Sequence, residues 1–166
     1  DFRQNASFDA LVYGLHAEIK LMLGKAWEIQ AGGTAQDARY SQAIDVFDDV
    51  QTTQMLRAPR LYGFGSAWYR WGNWETNVST TYTGSMVVAN ERLGELRQTP
   101  QFLEVNAFVS HTFYAKTQKV RIKAGIINLF DAYQTDLEVG PMRDAAFVYG
   151  PMRPRSLYVG VVLMGR

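Results

Sequence analysis

Cysteine is missing from this sequence altogether, and histidine occurs only twice, at His16 and His111. Without cysteine there is no disulfide scaffold, no thiolate zinc site and no thiol nucleophile. Two histidines make a histidine-rich metal site an unpromising reading. Charge of either sign is not in excess: 17 basic residues stand against 16 acidic ones, a formal net charge of +1. That balance gives no electrostatic case for a nucleic-acid binder. Long apolar runs are lacking too, so no stretch reads as a transmembrane helix. This does not bear on membrane β-barrels, whose strands alternate and score as mildly polar. No glycine–serine nucleophile elbow, phosphate-binding glycine loop or zinc-binding helix motif is present, so an enzyme is not expected and no cofactor is called for. The chain starts at Asp1 without anything like a signal peptide, which suggests a mature or cut chain.

What is present is ordinary in amount and unusual in order. Hydrophobic residues are 47% and charged residues 20% of 166 residues, suited to one folded domain or a piece of a larger one. Aromatic residues reach 13%, and their placement matters below. From 11 to 23 every odd position is apolar: Leu11, Tyr13, Leu15, Ala17, Ile19, Leu21 and Leu23. The even positions include His16, Glu18 and Lys20. Side chains of a strand alternate between faces, so this is a strand with one greasy and one wetter face. The same period recurs over 26–40, 74–87, 102–114, 119–129 and 155–164. Residues 61–71 are strand-like, with neither face clearly the apolar one. That gives seven candidate strands and no convincing long helix.

These strands run to roughly 10–15 residues, longer than the 5–6 typical of soluble sheets and enough to cross a bilayer when tilted. Their connections alternate in length. Gly24-Lys25, Gly72-Asn73 and Lys116-Thr117-Gln118 are short; 41–60, 88–101 and 131–154 are long and polar. Membrane barrels keep short turns at one rim and long loops at the other. Trp27, Trp71, Trp74, Phe113 and Tyr114 lie near the short turns, where an interfacial girdle would sit. Seven strands cannot close such a barrel, because single-chain bacterial barrels have even strand numbers and an open edge in lipid is not tolerated. The expected fold class is therefore all-β: a transmembrane antiparallel β-barrel, of which this chain supplies seven or so strands.

Two segments carry a resemblance. AGIINLFDAYQTD (124–136) holds Asn128, Leu129, Phe130, Asp131 and Tyr133, and RDAAFVYGPMRPRSLYVGVVL (143–163) holds Tyr149, Gly150, Pro154, Arg155, Tyr158 and Gly160. Together with RAPRLYGFGSAWY (57–69), YTGSMVV (82–88) and QAGGTAQDARY (30–40), they resemble the C-terminal barrel of TonB-dependent outer-membrane receptors, most of all the Bacteroidetes type. The resemblance implies that residues 1–166 are the C-terminal part of a barrel of about 22 strands, the size of the plugged transporters. It implies that the plug domain and earlier strands lie elsewhere in the same receptor. It also implies a bacterial outer-membrane location, import of a scarce bulky nutrient driven by the TonB complex acting through the plug, and a possible surface lipoprotein partner. Iron chelates, haem and cobalamin are the favoured cargoes. One departure concerns the end: the family usually finishes on an aromatic residue, whereas this chain finishes Leu163-Met164-Gly165-Arg166, so the true end lies further on or is atypical.

Read as residues, Asn128 and Asp131 sit where a strand gives way to a loop and can satisfy free backbone groups there. Phe130 and Tyr133 would anchor at the outer interface, and Pro151 and Pro154 limit pairing before the last strand. Ligand contacts, if any, belong to the long loops. Tyr133, Asp136, Arg143, Asp144, Phe147 and Tyr149 are the candidates, with Glu138 beside them; the same residues also suit a loop that packs on itself. Asp45, Asp48 and Asp49 lack the glycine and spacing of a calcium loop and read as a solvated turn. Glu18, Lys20, Glu28, Arg121 and Lys123 are expected on the wet face, pairing with one another. A passive porin or adhesin barrel, or a soluble β-sandwich binding module, are the alternatives.

Overall fold

A computed structural model describes residues 9–165. Asp1 and Arg166, on which the expectations about the chain ends rest, lie outside the described residues. The fold is all-β and antiparallel. The seven long strands are β1 (Ala10–Leu23), β2 (Trp27–Phe47), β4 (Leu61–Trp71), β5 (Trp74–Thr83), β8 (Phe102–Tyr114), β9 (Gln118–Ile127) and β10 (Ser156–Gly165). They lie in one sheet in chain order, each paired with its neighbour. Only short elements stand outside this order. β3 (Val50–Gln54) folds back on the far end of β2, and β6 (Val87–Asn90) pairs with β7 (Glu95–Gln98) in a small separate ribbon. The sheet is open: β1 pairs only with β2, and β10 only with β9.

Register turns the period-two pattern into two complete faces, since side chains on directly opposed residues project to the same side. Ile19 faces Ala31, Ala31 faces Gly65, Gly65 faces Thr80, Thr80 faces Val105, and the series continues through Val109–Ala124 to Val159. Every strand adds its apolar set to this one side. Among the described residues nothing covers it: Leu15, Leu157, Val159 and Leu163 are each at least 70% exposed. A monomeric soluble protein rarely leaves a contiguous apolar patch of more than a few hundred Å². In a two-layer sandwich this face would be folded against itself; here all seven strands form a single layer.

The faces of β4, which the sequence leaves ambiguous, are settled by pairing. Gly63, Gly65, Ala67 and Tyr69 oppose the apolar set of β2, while Tyr62, Phe64, Ser66 and Trp68 oppose its polar set. Bulky rings thus lie on the wet face. Glycines make room for Phe64 and, further along the same face, for Tyr158. Phe64 lies over Gly32, and Tyr158 lies over Gly125, where an added Cβ would come within 2.7 Å of both the ring and the Ala107 carbonyl.

At the short-turn end of the apolar face the rings touch in one row across four strands, β2, β4, β5 and β8. Trp27–Tyr69, Tyr69–Trp71, Trp71–Trp74, Trp74–His111 and His111–Phe113 have centroid separations of 4.5, 5.1, 5.9, 4.5 and 4.4 Å. Such contacts add to the stability of strand pairs. Tyr114 departs from the expectation. Its register partner is Lys119, so it lies on the polar side, with the Lys119 ammonium 5.5 Å from its ring. The turns below are sharp because Gly24 and Gly72 adopt φ of +64° and +56°, a region glycine occupies without strain.

On the polar face at the same end, charges alternate from strand to strand. Lys20 pairs with Glu28 at 2.8 Å, Glu28 with Arg70 at 3.1 Å, Arg70 with Glu75 at 3.1 Å, and Glu75 with Arg121 at 3.7 Å. Arg121 also donates to Thr112 Oγ1. This ladder links β1, β2, β4, β5, β8 and β9. Of the charges expected on this face, Glu18 instead accepts from Gln30, and Lys123 sits against rings rather than a carboxylate.

Two stretches differ from the sequence reading. β2 runs on to Phe47 and returns as β3 through a tight turn at Asp48-Asp49, with Asp49 at φ +65°. The expected strand over 74–87 stops at Thr83, and Val87 begins β6. Both extensions project past the apolar band, where neither face is greasy and no alternation marks them. Because the ring of Tyr158 and a backbone carbonyl close over Gly125, Gly125→Val should destabilise the sheet by roughly 1–3 kcal/mol. Chemical unfolding followed by tryptophan fluorescence checks this; an unchanged midpoint would mean the wall tolerates the bulk.

Candidate functional site

The long connections gather at one end of the sheet, and two of them form a joint cap. Val88, Phe147 and Phe102 are the buried apolar side chains among the described residues. Val88 comes from the 84–101 connection and Phe147 from the 128–155 connection, and Arg97 of the first lies over the Phe147 ring, 5.9 Å from its centre. Tyr149 packs on both rings, 5.3 Å from Phe147 and 6.1 Å from Phe102. Burial of each such side chain contributes about 2 kcal/mol.

A polar seam surrounds this small core. Glu138 is its centre. It accepts from Asn90 Nδ2 at 3.1 Å and from the Asp144 amide at 2.8 Å, and pairs with Arg92 at 2.8 Å. Asp144 in turn accepts from the Glu91 amide at 2.8 Å. Arg97 reaches Asp136 at 3.5 Å, and the Tyr149 hydroxyl donates to the same carboxylate. Arg57, just ahead of β4, donates to the carbonyls of Ala146 and Val148. Gln134, buried, donates to the Phe147 carbonyl and accepts from the Tyr149 amide.

Ionisation follows these contacts. The Arg92 guanidinium, then the Asp144 amide and Asn90, hold the Glu138 carboxyl at about 2. Burial first, and the Asp136 carboxylate second, push the Tyr149 hydroxyl well above its usual range. It remains a donor throughout the neutral and mildly alkaline range.

The base of the cap is the Asn128–Asp131 segment. Asn128 is fully buried, with φ +52°. Its side chain donates to the carbonyls of Ala132 (3.0 Å) and Arg153 (2.8 Å) and accepts from the Ala132 amide (2.9 Å). Its amide donates to Asn106 Oδ1 on β8. Leu129 donates its amide to the Val105 carbonyl. Asp131, also at positive φ, accepts from the Arg155 amide at 2.8 Å and so ties the loop's start to its end. Asn and Asp tolerate this conformation better than other non-glycine residues. Gly150 is needed nearby because a Cβ there would lie 2.9 Å from the Gln134 nitrogen. Pro154 takes part through its carbonyl, which accepts from Ser156 Oγ. Gly160 opposes Lys123 with open space above it.

The six ligand candidates therefore divide. Asp136, Asp144, Phe147 and Tyr149 are brought together, but their polar atoms and rings are engaged in joining the two loops. Tyr133 and Arg143 have exposed side chains that take no part in the seam. Phe130 is also exposed. Gln134, Asn90, Arg57, Arg92 and Arg97 also join the site; Gln134 and Arg57 lie in the segments that carry the resemblance but are not among the expected contacts. For Arg92 and Arg97 the one signal is charge complementary to Glu138 and Asp136 on a loop that only the fold makes a neighbour.

Below the cap, the polar face holds an open basin of about 580 Å³ lined by Asn77, Asn106, Phe108, Lys123, Arg153 and Tyr158, with Glu104 on its border. The Lys123 ammonium lies 3.5 Å from the Phe108 ring centre and 5.6 Å from that of Tyr158. A second hollow, between Thr81, Thr83, Tyr149 and Gly150, shares Glu104 with it. Together they make a polar, ring-bearing path from the cap down the wall. Among the described residues, no group of three or more His, Asp or Glu side chains could hold a metal ion. His16 accompanies Thr34 on the polar face, while His111 belongs to the ring row on the other. Asp45 accepts from Gln51 beside the Asp48-Asp49 turn.

No family model matches this chain, and no curated protein matches it.

Because the Glu138 carboxyl is held below its unfolded value, its contribution is complete above about pH 4.5 and lost as pH falls towards 2. Amide protection at Glu91 and Asp144, read by NMR, should decline across that window and be lost at neutral pH in Glu138→Gln. Asn128→Ala removes three side-chain hydrogen bonds at a buried, left-handed position. It should cost roughly 2–4 kcal/mol in thermal or chemical unfolding and render residues 128–155 sensitive to protease.

Proposed function

We propose that this chain is part of the wall of an outer-membrane β-barrel of the TonB-dependent receptor type, serving energy-coupled import of a scarce, bulky nutrient. The observation that carries the reading is the single-layer sheet: one face predominantly apolar and exposed, ending in a contiguous row of rings, the other bearing an ion-pair ladder. Hydrocarbon suits the first face and a water-filled or plugged interior the second. The two free edges then belong against the remaining strands of the same receptor, since unpaired backbone in lipid is prohibitively costly. On this reading the row of rings marks the periplasmic interface and the long loops are extracellular.

Capture falls to the cap and the path below it. The chemistry there is that of binding: rings, amides and a few charges for a ligand of mixed character. No bond of the cargo is made or broken. An iron chelate, haem or cobalamin fits this surface, delivered by a surface lipoprotein or taken directly. The plug of the receptor, moved by the TonB complex, opens the way through. The resemblance of residues 124–136 and 143–163 to the receptor family supports the energy-coupled form over a passive porin or adhesin.

In cells, the protein should fractionate with the outer membrane, need detergent for extraction and migrate anomalously unless heated. Uptake of its cargo should stop when the proton-motive force is collapsed by a protonophore. Extraction into buffer without detergent would overturn the membrane reading. Protonophore-resistant flux through an inserted barrel would overturn the energy coupling alone.

A further inference from the structure

At the loop-side end of the apolar face the greasy pattern is broken by charge. Asp37 opposes Tyr13, and Arg39 opposes Leu11, one rung beyond Leu15–Ala35 on the same side. Arg39 meets Asp37 at 2.6 Å, Arg60 approaches the same carboxylate at 3.9 Å, and the Tyr13 hydroxyl donates to it at 3.0 Å. Two guanidinium groups thus share the Asp37 carboxylate. The carboxylate is largely enclosed at 18% exposure, while the Arg39 and Arg60 side chains are 52% and 61% exposed. Arg57 is bonded to loop carbonyls and Asp45 accepts from Gln51, while Asp9, opposite Ser41, sets a second acidic residue one rung beyond Arg39 on the same face.

Position gives this cluster its meaning. Along β2, Asp37 lies ten residues beyond Trp27, a member of the ring row at the other end. At about 3.3 Å per residue and a strand tilt of about 40°, that separation spans about 25 Å along the barrel axis. This equals the usual height of the apolar band in outer-membrane barrels. The cluster therefore falls where headgroups meet hydrocarbon, with Leu15 and Leu61 on the rung beneath it to receive acyl chains.

We infer that Arg39 and Arg60, gathered by Asp37 and bordered by Tyr13, form a binding site for the phosphate of an anionic lipid headgroup. The inference rests on the membrane reading above. Guanidinium forks match phosphate oxygens in pairs and give up their hydration more readily than ammonium groups. Asp37 holds both forks in place, so less side-chain freedom is lost on binding. Tyr13 offers a ring at interfacial depth.

The test uses the intact receptor, purified with whatever chains complete its barrel. It is reconstituted into vesicles of phosphatidylcholine alone, of phosphatidylcholine mixed with phosphatidylglycerol, and of phosphatidylcholine with added inorganic phosphate. Native mass spectrometry counts retained lipids, and loss of heat-modifiable migration gives thermal stability. Wild-type protein should retain phosphatidylglycerol and melt higher in its presence. Apparent affinity should fall about thirtyfold in the Arg39→Gln/Arg60→Gln variant, at the usual worth of a basic residue near an anionic surface. Arg60→Gln alone, which leaves β2 intact, should lose part of the effect and serves if the double variant does not fold. Equal retention of phosphatidylglycerol by wild type and variants, with normal insertion, would overturn the site. Stabilisation by inorganic phosphate equal to that by phosphatidylglycerol would overturn the lipid assignment. Failure of the wild type to insert in any vesicle would instead bring down the membrane reading on which the site rests.

Discussion

Everything in this molecule depends on the uninterrupted backbone ladder that joins seven strands in one layer. Each of β2, β4, β5, β8 and β9 gives its amides and carbonyls to a neighbour on either side, so the sheet needs no second layer to satisfy its polar backbone. That frees both faces for other purposes. One is made mainly apolar and the other carries the ion-pair ladder, and neither is asked to be the protein's core. Among the described residues the buried apolar side chains lie instead under the loops, at Val88, Phe102 and Phe147. Interior and exterior are therefore exchanged relative to an ordinary soluble sheet.

The faces are trimmed where their surroundings would change. Rings in contact run along the short-turn end of the apolar side, and on the opposite side of the same strands charges alternate from Lys20 to Arg121. Ion pairs in this ladder are partly open to water, so each contributes modestly to stability. Their sequence of signs, however, suits only the observed order and register of strands. A slip by one residue would send Glu28, Arg70 and Glu75 to the apolar side together.

Much of this was legible in the residues. Strict alternation over 11–23, 74–83, 102–114 and 119–127 follows from one face being greasy throughout, and glycines at 24 and 72 marked the turns. Legibility stopped where that cause stopped. The end of β2, together with β3, β6 and β7, is held by backbone pairing beyond the apolar band, so composition there carries no period. β4 was ambiguous because Tyr62, Phe64 and Trp68 stand on the polar side over small residues, which a pattern of hydrophobicity alone cannot assign. Tyr114 was misplaced for a related reason: proximity to a turn fixes depth, not side. In the candidate site, Asn128 and Asp131 could be read as strand-end bonders from their own chemistry. Phe147 and Glu138 could not be read as part of a shared interior, because Arg97, Asn90 and Arg92, which they meet, belong to another loop distant in the chain.

The joint cap has a consequence for how this surface can vary. Phe147 lies under Arg97 of the other loop, and Glu138 is bonded from Asn90 and Arg92 as well as from its own segment. The two connections consequently behave as a single unit of exchange. A graft that replaced either one alone would strand the other's apolar centre in water and leave a carboxylate without its cations. Diversification of the exposed surface is thereby channelled to positions outside the seam, such as Tyr133, Val139, Met142 and Arg143, where a side chain can change without consulting its neighbour.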